Sequence, residues 1–408
     1  MSGLRRATLA TYVAFAGSGF GFASWASRIP QVKSHLGLDP SQLGLVLLSI
    51  AAGSVISLPS AGPLVARFGS RRVVMVTATV GGVGLIVIAL GVRAGVAPVV
   101  AGLFVWGLAA GIWDVAMNVQ GAAVERRLGR SIMPRFHAGF SFGTVAGALG
   151  GALMVGLGVS VTAHLILIGL IVAVAVPVTA RDFLPDAAAA PQPSGGGGAG
   201  EHEVPGVRGS LAAWREPRTL LVGAFVLAFA FAEGSGNDWI SLATIGRHHV
   251  PAAVGTLVFA TFLGAMTTAR WLGPAALDRY GRVPVVRALT VLAIAGLVLF
   301  VFGPGVVLAF VGAALWGTGT SLGFPVGMSA GADEPSFAAA RVGVVSTIGY
   351  CAFLGGPPLI GFLAQRHGVS HALVVVIVIL GGAGLIAGSV RPPRHHARHG
   401  TEQMSSSL

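Results

Sequence analysis

Twelve apolar windows follow one another along the chain, at 8–28, 41–65, 73–93, 97–124, 135–157, 161–183, 217–245, 252–274, 283–303, 305–330, 339–365 and 368–390. Each is about 20 residues or longer, enough for a helix to cross a hydrocarbon core of roughly 30 Å. No water reaches backbone N–H and C=O groups there, so segments of this length satisfy them internally as helices. With 54% hydrophobic residues, only 10% charged and a mean hydropathy of +0.82, the chain is too apolar for an ordinary soluble domain. The expected fold is an all-α integral membrane protein with twelve transmembrane helices, and its partner is the lipid bilayer.

A net charge of +12 would suggest nucleic acid in a soluble protein. Here the charge is arranged by topology. If the N-terminus is inside, twenty of the 26 Lys and Arg residues fall in inner segments and five in outer ones, with Arg270 inside a span. The positive-inside rule then puts both termini in the cytoplasm of a multi-pass protein of the cytoplasmic membrane, with no nucleic-acid partner. Arg5 and Arg6 precede the first window as they would in a secretory signal. Its apolar run is too long for a signal core, so a retained helix is expected. The single cysteine, Cys351, excludes an internal disulfide and is expected to pack inside its span.

The windows fall into two related sets. Arg67-Phe68-Gly69-Ser70-Arg71-Arg72 lies between two windows, and about 210 residues later the turn returns as Asp278-Arg279-Tyr280-Gly281-Arg282. Trp106-Gly107 matches Trp316-Gly317, and Leu149-Gly150-Gly151 matches Leu354-Gly355-Gly356, in the same order. Between the sets, 184–216 carries Pro185, Pro191, Pro193 and Gly195 to Gly198, a composition that cannot bury a core. The expected organisation is a six-helix bundle at 1–183, a cytoplasmic linker at 184–216, a second, pseudo-symmetric bundle at 217–390 and a disordered cytoplasmic tail at 391–408. Residues 210–214 are either a short interfacial helix with Trp214 at headgroup depth or the plain end of the linker. Parallel repeats that rock against one another are a route to alternating access, and the charged turns would form an inner gate from Arg67, Gly69, Arg71, Asp278, Arg279, Gly281 and Arg282.

At this point the chain resembles the major facilitator superfamily over essentially its whole length. The turn after that family's second span has a glycine, three variable residues, aspartate, arginine, a variable residue, glycine and basic residues. Gly62, Arg67, Gly69, Arg71 and Arg72 fit, with Ala66 where the aspartate belongs; the second copy keeps Asp278, Arg279, Gly281 and Arg282, with Pro274 for the first glycine. The resemblance implies a monomeric transporter of a small-molecule substrate, and the departure at Ala66 implies unequal gates in the two halves.

Ionisable groups inside a bilayer are costly and point to function. Three acids stand inside spans: Asp114, Glu233 and Asp238. Asp114 and Asn118 share a helical face at i, i+4, as do Glu233 and Asn237. An acid followed by asparagine in the fourth span is similar to the fucose and sugar:proton symporter branch, which implies a protonation site at Asp114 and a hydroxyl-binding amide at Asn118. Protonation would remove a charge that resists reorientation through the core. Glu233 is expected to take part in proton coupling and, with Asn237, in substrate contact; Gly234 and Gly236 are expected to let their helix bend or unwind. Asp238 and Arg28 sit at similar outer depths and are read either as an outer-gate salt bridge or as two residues reaching the interface independently. Trp25, Trp113 and Trp239 lie beside these polar positions, as substrate-stacking surfaces or as packing. Trp25-Ala26-Ser27-Arg28-Ile29-Pro30 and Asp238-Trp239 also look like a poorly characterised bacterial subgroup near the sugar-permease branch.

Arg270 could bind an anion, but pairing near the inner edge is the simpler reading, and His137 at the start of span five reads as a helix-end polar contact. The three histidines of Arg394-His395-His396-Ala397-Arg398-His399 read as part of a solvated basic tail. No Walker sequence, paired metal ligands or nucleophile elbow is present, so neither an enzyme, a cofactor, a metal site nor ATP-driven transport is expected. The function expected is secondary active, proton-coupled uptake of a small polar, sugar-like solute. Two alternatives are a drug or metabolite:proton antiporter, which Gly143 to Gly151 argues against by lacking proline and Gly355-Gly356-Pro357-Pro358 keeps open, and a non-transporting membrane sensor.

Overall fold

A computed structural model of the chain describes residues 2–129, 132–185, 212–334 and 337–392. Among these every regular element is a helix: α1 (Ser2–Ala26), α2 (Ile29–His35), α3 (Pro40–Phe68), α4 (Ser70–Ala94), α5 (Val96–Leu128), α6 (Met133–Gly156) and α7 (Val161–Ala180) precede the linker. After it come α8 (Pro217–His248), α9 (Ala252–Tyr280), α10 (Arg282–Phe302), α11 (Val306–Thr320), α12 (Gly323–Gly331), α13 (Ala338–His367), α14 (Val369–Ala372), α15 (Val374–Ile386) and a 3-10 turn at Ala387–Val390. Eleven helical spans are long and apolar enough to cross a membrane: α3 to α10, the Val306–Gly331 unit, Ala340–His367 and Val369–Val390. The first window does not reach that standard, because Gly17, Ser18, Gly19 and Gly21 dilute the apolar run of α1. Most of the linker and tail, with the Arg394–His399 stretch and residues 210 and 211, lie outside the described residues.

The repeated turns have the same local geometry. Gly69 (φ 83°) joins α3 to α4 and Gly281 (φ 79°) joins α9 to α10, each donating its N–H back to the helix it ends, to Val65 at 2.8 Å and Leu277 at 2.9 Å. A single left-handed residue lets one helix stop and the next begin at once, which only glycine does without strain. The Trp-Gly pairs also pack alike. Gly107 lets α5 lie directly on the Ile50 carbonyl of α3, and Gly317 lets α11 lie on the Phe262 carbonyl of α9. Small residues at such crossings bring backbones together where lipid gives no hydrophobic drive to association.

One expectation about helix continuity is corrected. α8 runs unbroken through Gly234 and Gly236; Gly236 instead makes room for Phe262 of α9, since a Cβ there would sit 2.6 Å from the ring's Cζ. The interruptions fall elsewhere, at Ser321-Leu322 between α11 and α12 and at Leu373 between α14 and α15.

Helices before and after the linker meet along two seams. Gly44 and Pro40 of α3 pack on Pro357 and Gly361 of α13, at the end remote from the arginine-rich turns. Along the other seam Phe142 of α6 lies edge-on to Trp271 of α9 at 5.9 Å, and Thr256 donates to the Ser27 carbonyl at 3.5 Å. The ion pairs Arg6–Asp182, Arg218–Asp333, Arg282–Asp333 and Arg270–Glu233 each stay on one side of the linker, and Arg341 pairs with the linker's last residue, Glu216.

Candidate functional site

Between the two sets of helices lies a cavity of about 260 Å³. Its wall repeats every three or four residues along each helix, as one helical face must: Leu47, Ile50, Ala51, Ser54 and Leu58 on α3, Trp106, Ala110 and Asp114 on α5, Gly234, Asn237 and Asp238 on α8, and Tyr350, Phe353 and Pro357 on α13. Val55 of α3, Gly111 of α5, Ser18 and Phe22 of α1 and Phe140 of α6 complete it. The volume suits a small solute better than a drug-sized one.

Asp114 lines this cavity with an exposed side chain deep inside the bundle. Asn118 donates to the Asp114 carbonyl at 2.8 Å and lies 3.4 Å from its Oδ1. Asn118 is not among the residues that line the cavity, and its amide braces the acid's own turn of helix. Asp238 lines the same cavity and makes no hydrogen bond or ion pair among the described residues.

An adjoining chamber of about 200 Å³ shares Phe22, Phe140, Asn237 and Phe353 with the first and adds Ser141, Thr144, Thr267, Glu233 and Arg270. Glu233, expected to carry protons, instead accepts from Arg270 at 2.7 Å. Arg270 also donates to the Ser321 carbonyl at 3.1 Å. That carbonyl stands where α11 ends, so the guanidinium satisfies an acceptor the interrupted helix leaves open. Arg270 is thus the paired group expected of it. Asn237 stands between the chambers, with a buried Oδ1 that has no hydrogen-bond partner.

The expected Arg28–Asp238 gate is not formed. Arg28 is only 2% exposed and its Nε donates to His164 Nδ1 at 2.8 Å, while its Nη2 is buried without a partner. Trp25, Trp113 and Trp239, expected as stacking surfaces, are at most 1% exposed and belong to the packed core; the tryptophan on the cavity wall is Trp106. The full burial is a helix-packing outcome that depth alone did not distinguish from cavity lining.

At the arginine-rich end, Arg67 and Arg279 stack over their neighbours Phe68 and Tyr280 at 5.3 and 5.2 Å. Asp278 is exposed and unpaired among the described residues, with Arg71 also exposed. The anchoring acid is Asp333, which binds both Arg218 and Arg282 at 2.7 Å; Arg282 donates to Ser329 as well. Beside it Arg341 joins Glu216 at 2.6 Å to Glu334 at 3.0 Å. The signal for this network was present in the sequence as three acids, Glu216, Asp333 and Glu334, on the side of the chain otherwise rich in arginine. Cys351 is exposed rather than packed, donating to the Thr347 carbonyl at 3.3 Å. His137 meets the Phe15 ring edge-on at 5.2 Å. Among the described residues no group of three or more His, Cys, Asp or Glu could hold a metal ion.

A helical membrane fold around an acid-lined cavity can now be set beside known proteins. The model of the Major Facilitator Superfamily matches residues 11–336. The chain belongs to this superfamily. An uncharacterised MFS-type transporter of Yersinia pestis is 30% identical over 376 residues, covering 91% of this chain and 92% of the relative. Membrane protein MosC of Rhizobium meliloti is 28% identical over 382 residues, with 93% and 88% covered. Among solved structures, the nucleoside transporter NupG superposes with a TM-score of 0.73 at 16% identity, covering 96% of this chain and 98% of that one. The Escherichia coli fucose:proton symporter FucP gives 0.61 at 13% identity, with 96% and 100% covered. At those identities the superfamily fold is what is shared.

Proposed function

We propose that this superfamily member is a secondary active transporter that takes up a small polar, sugar-like solute together with protons. In this reading α1 is the twelfth span, the helices form two pseudo-symmetric six-helix bundles that rock about the cavity, and the monomer sits in the cytoplasmic membrane with both termini inside. The observation that carries it is Asp114: an intramembrane carboxylate on the wall of a cavity between the two sets of helices, with no cationic partner among the described residues. Such a group carries a charge in one step of a transport cycle and sheds it in another by binding a proton. The symporter structure with which the chain shares its fold supports the same direction.

Asp114 is assigned the coupling proton. Glu233 and Arg270 act as a fixed pair that shapes the second chamber, and Asn237 contacts the solute from the shared wall. His164 braces Arg28 near the outer end, and the Asp333 network ties the inner ends of α8, α10 and the α12–α13 connection. The test is proton flux into liposomes holding the purified protein, driven by a panel of monosaccharides and nucleosides. Wild-type protein should acidify the lumen with at least one of them, and Asp114→Asn should abolish that flux while still binding the same solute. Undiminished coupling in the variant overturns the assignment; solute-driven flux in the opposite direction favours the antiporter.

A further inference from the structure

The central cavity is lined by two carboxyl groups, one more than a single coupling proton serves. Asp114 of α5 and Asp238 of α8 face it from opposite sides of the linker, and no Arg, Lys or His stands among its lining residues. In the adjoining chamber Arg270 is held by Glu233 at 2.7 Å and by the Ser321 carbonyl, so its charge is offset where it stands. Asn237, next to Asp238, lines the same wall, but its Oδ1 is the buried end of the amide and has no partner, so it offers the cavity no acceptor. The rest of the polar wall consists of the hydroxyls of Ser18, Ser54 and Tyr350. Ser54 already donates to the Gly107 carbonyl at 3.0 Å, and the broad surfaces are the rings of Phe22, Trp106, Phe140, Tyr350 and Phe353.

A site of two carboxyl groups and five aromatic rings presents acceptors and negative ring faces that favour a cation. A neutral polyol would satisfy the acceptors only with both carboxyl groups protonated, because an unpaired carboxylate is costly in a low-dielectric chamber. An ammonium group satisfies both demands, through charge-assisted hydrogen bonds and through the negative faces of the rings. We propose that the solute carries a primary ammonium group, bound by Asp238, while Asp114 takes the proton. The substrate class is an amine-bearing polyol of monosaccharide size. This deepens the transport reading above and rests on it.

The test uses the purified full-length chain at pH 7.5 with matched sets that differ at one substituent: glucose, glucosamine and N-acetylglucosamine, and the corresponding galactose and mannose sets. Affinities are read from ligand-dependent shifts in melting temperature. At least one amine should bind roughly tenfold or more tightly than both its hydroxyl and acetamido counterparts. Asp238→Asn should reduce that preference to within about twofold, the range expected once the charged contact is gone. Equal binding of the three members of each set overturns the proposal, as does a panel in which no amine binds; both are read on wild-type protein and need no variant to fold. Proton flux driven by the neutral members with no amine preference would remove this proposal and leave the transport reading standing. Amine preference with no solute-driven flux in liposomes would retain the site and remove the transport reading.

Discussion

At the scale of single residues, the decisive facts are which polar groups have partners. Arg28 is the clearest case: buried at 2% exposure, it has His164 as its side-chain partner, on a helix far away in sequence. His164→Ala would leave a buried guanidinium without that acceptor, at a cost of roughly 3 kcal/mol. Chemical denaturation or thermal melting of the variant measures it, and a loss below about 1 kcal/mol would show that water or another acceptor replaces the ring. The acids at Asp114, Glu233 and Asp238 were legible in the sequence because charge inside an apolar window is conspicuous. Their partners were not. Glu233 and Asp238 are five residues apart on one helix, yet the first meets Arg270 and the second faces the cavity unpaired, a difference set by which neighbouring helix each side chain meets.

Among the helices, close crossings and the connections between them organise the structure. Gly107→Ala would push a methyl against the Ile50 carbonyl and should cost about 1–3 kcal/mol as α5 separates from α3, whereas Gly150→Ala meets nothing within 4 Å and should be neutral or gain up to ~1 kcal/mol from better helix propensity. Parallel melting curves of the two variants check the contrast; equal shifts would mean the α3–α5 crossing is not tight. The Arg341 guanidinium holds Glu216, at the foot of α8, below the ordinary carboxylate range. A depressed carboxylate contributes stability at neutral pH that fades as pH falls through its folded-state value. Acidification should therefore loosen the α8–α13 tie, by a modest amount because Glu216 is partly exposed, and the melting temperature of Glu216→Gln should vary less between pH 6 and pH 3. The glycine turns at Gly69 and Gly281 were legible as repeats, and their matching φ of 83° and 79° gives the repeat a geometric reason. The break between α11 and α12 was not legible, because Ser321 and Leu322 are unremarkable residues until Arg270 arrives to take the freed carbonyl.

For the whole molecule, the packing of Gly44 and Pro40 on Pro357 and Gly361 closes the α3–α13 seam at the end away from the arginine-rich turns. If that arginine-rich end is cytoplasmic, a cysteine placed at cavity residue Ser54 in a Cys351→Ser background should react with a membrane-impermeant maleimide faster in inside-out vesicles than in right-side-out ones. The reverse order would mean the cavity opens to the other face. The sequence by itself determined that the chain is helical and membrane-embedded, where its helices turn, that its turns and Trp-Gly crossings recur, and that it carries the superfamily's signature. These follow from local quantities: hydropathy over a helix length, the backbone freedom of glycine, and the placement of arginines. Only the tertiary structure decided that Trp113 is buried while Trp106 lines the cavity, that Asp333 rather than Asp278 anchors the arginines, and that Asp114 and Asp238 share one chamber without a cation. Those outcomes depend on which faces of helices distant in sequence come together, and in a chain apolar on nearly every face the hydrophobic pattern carries little record of that choice.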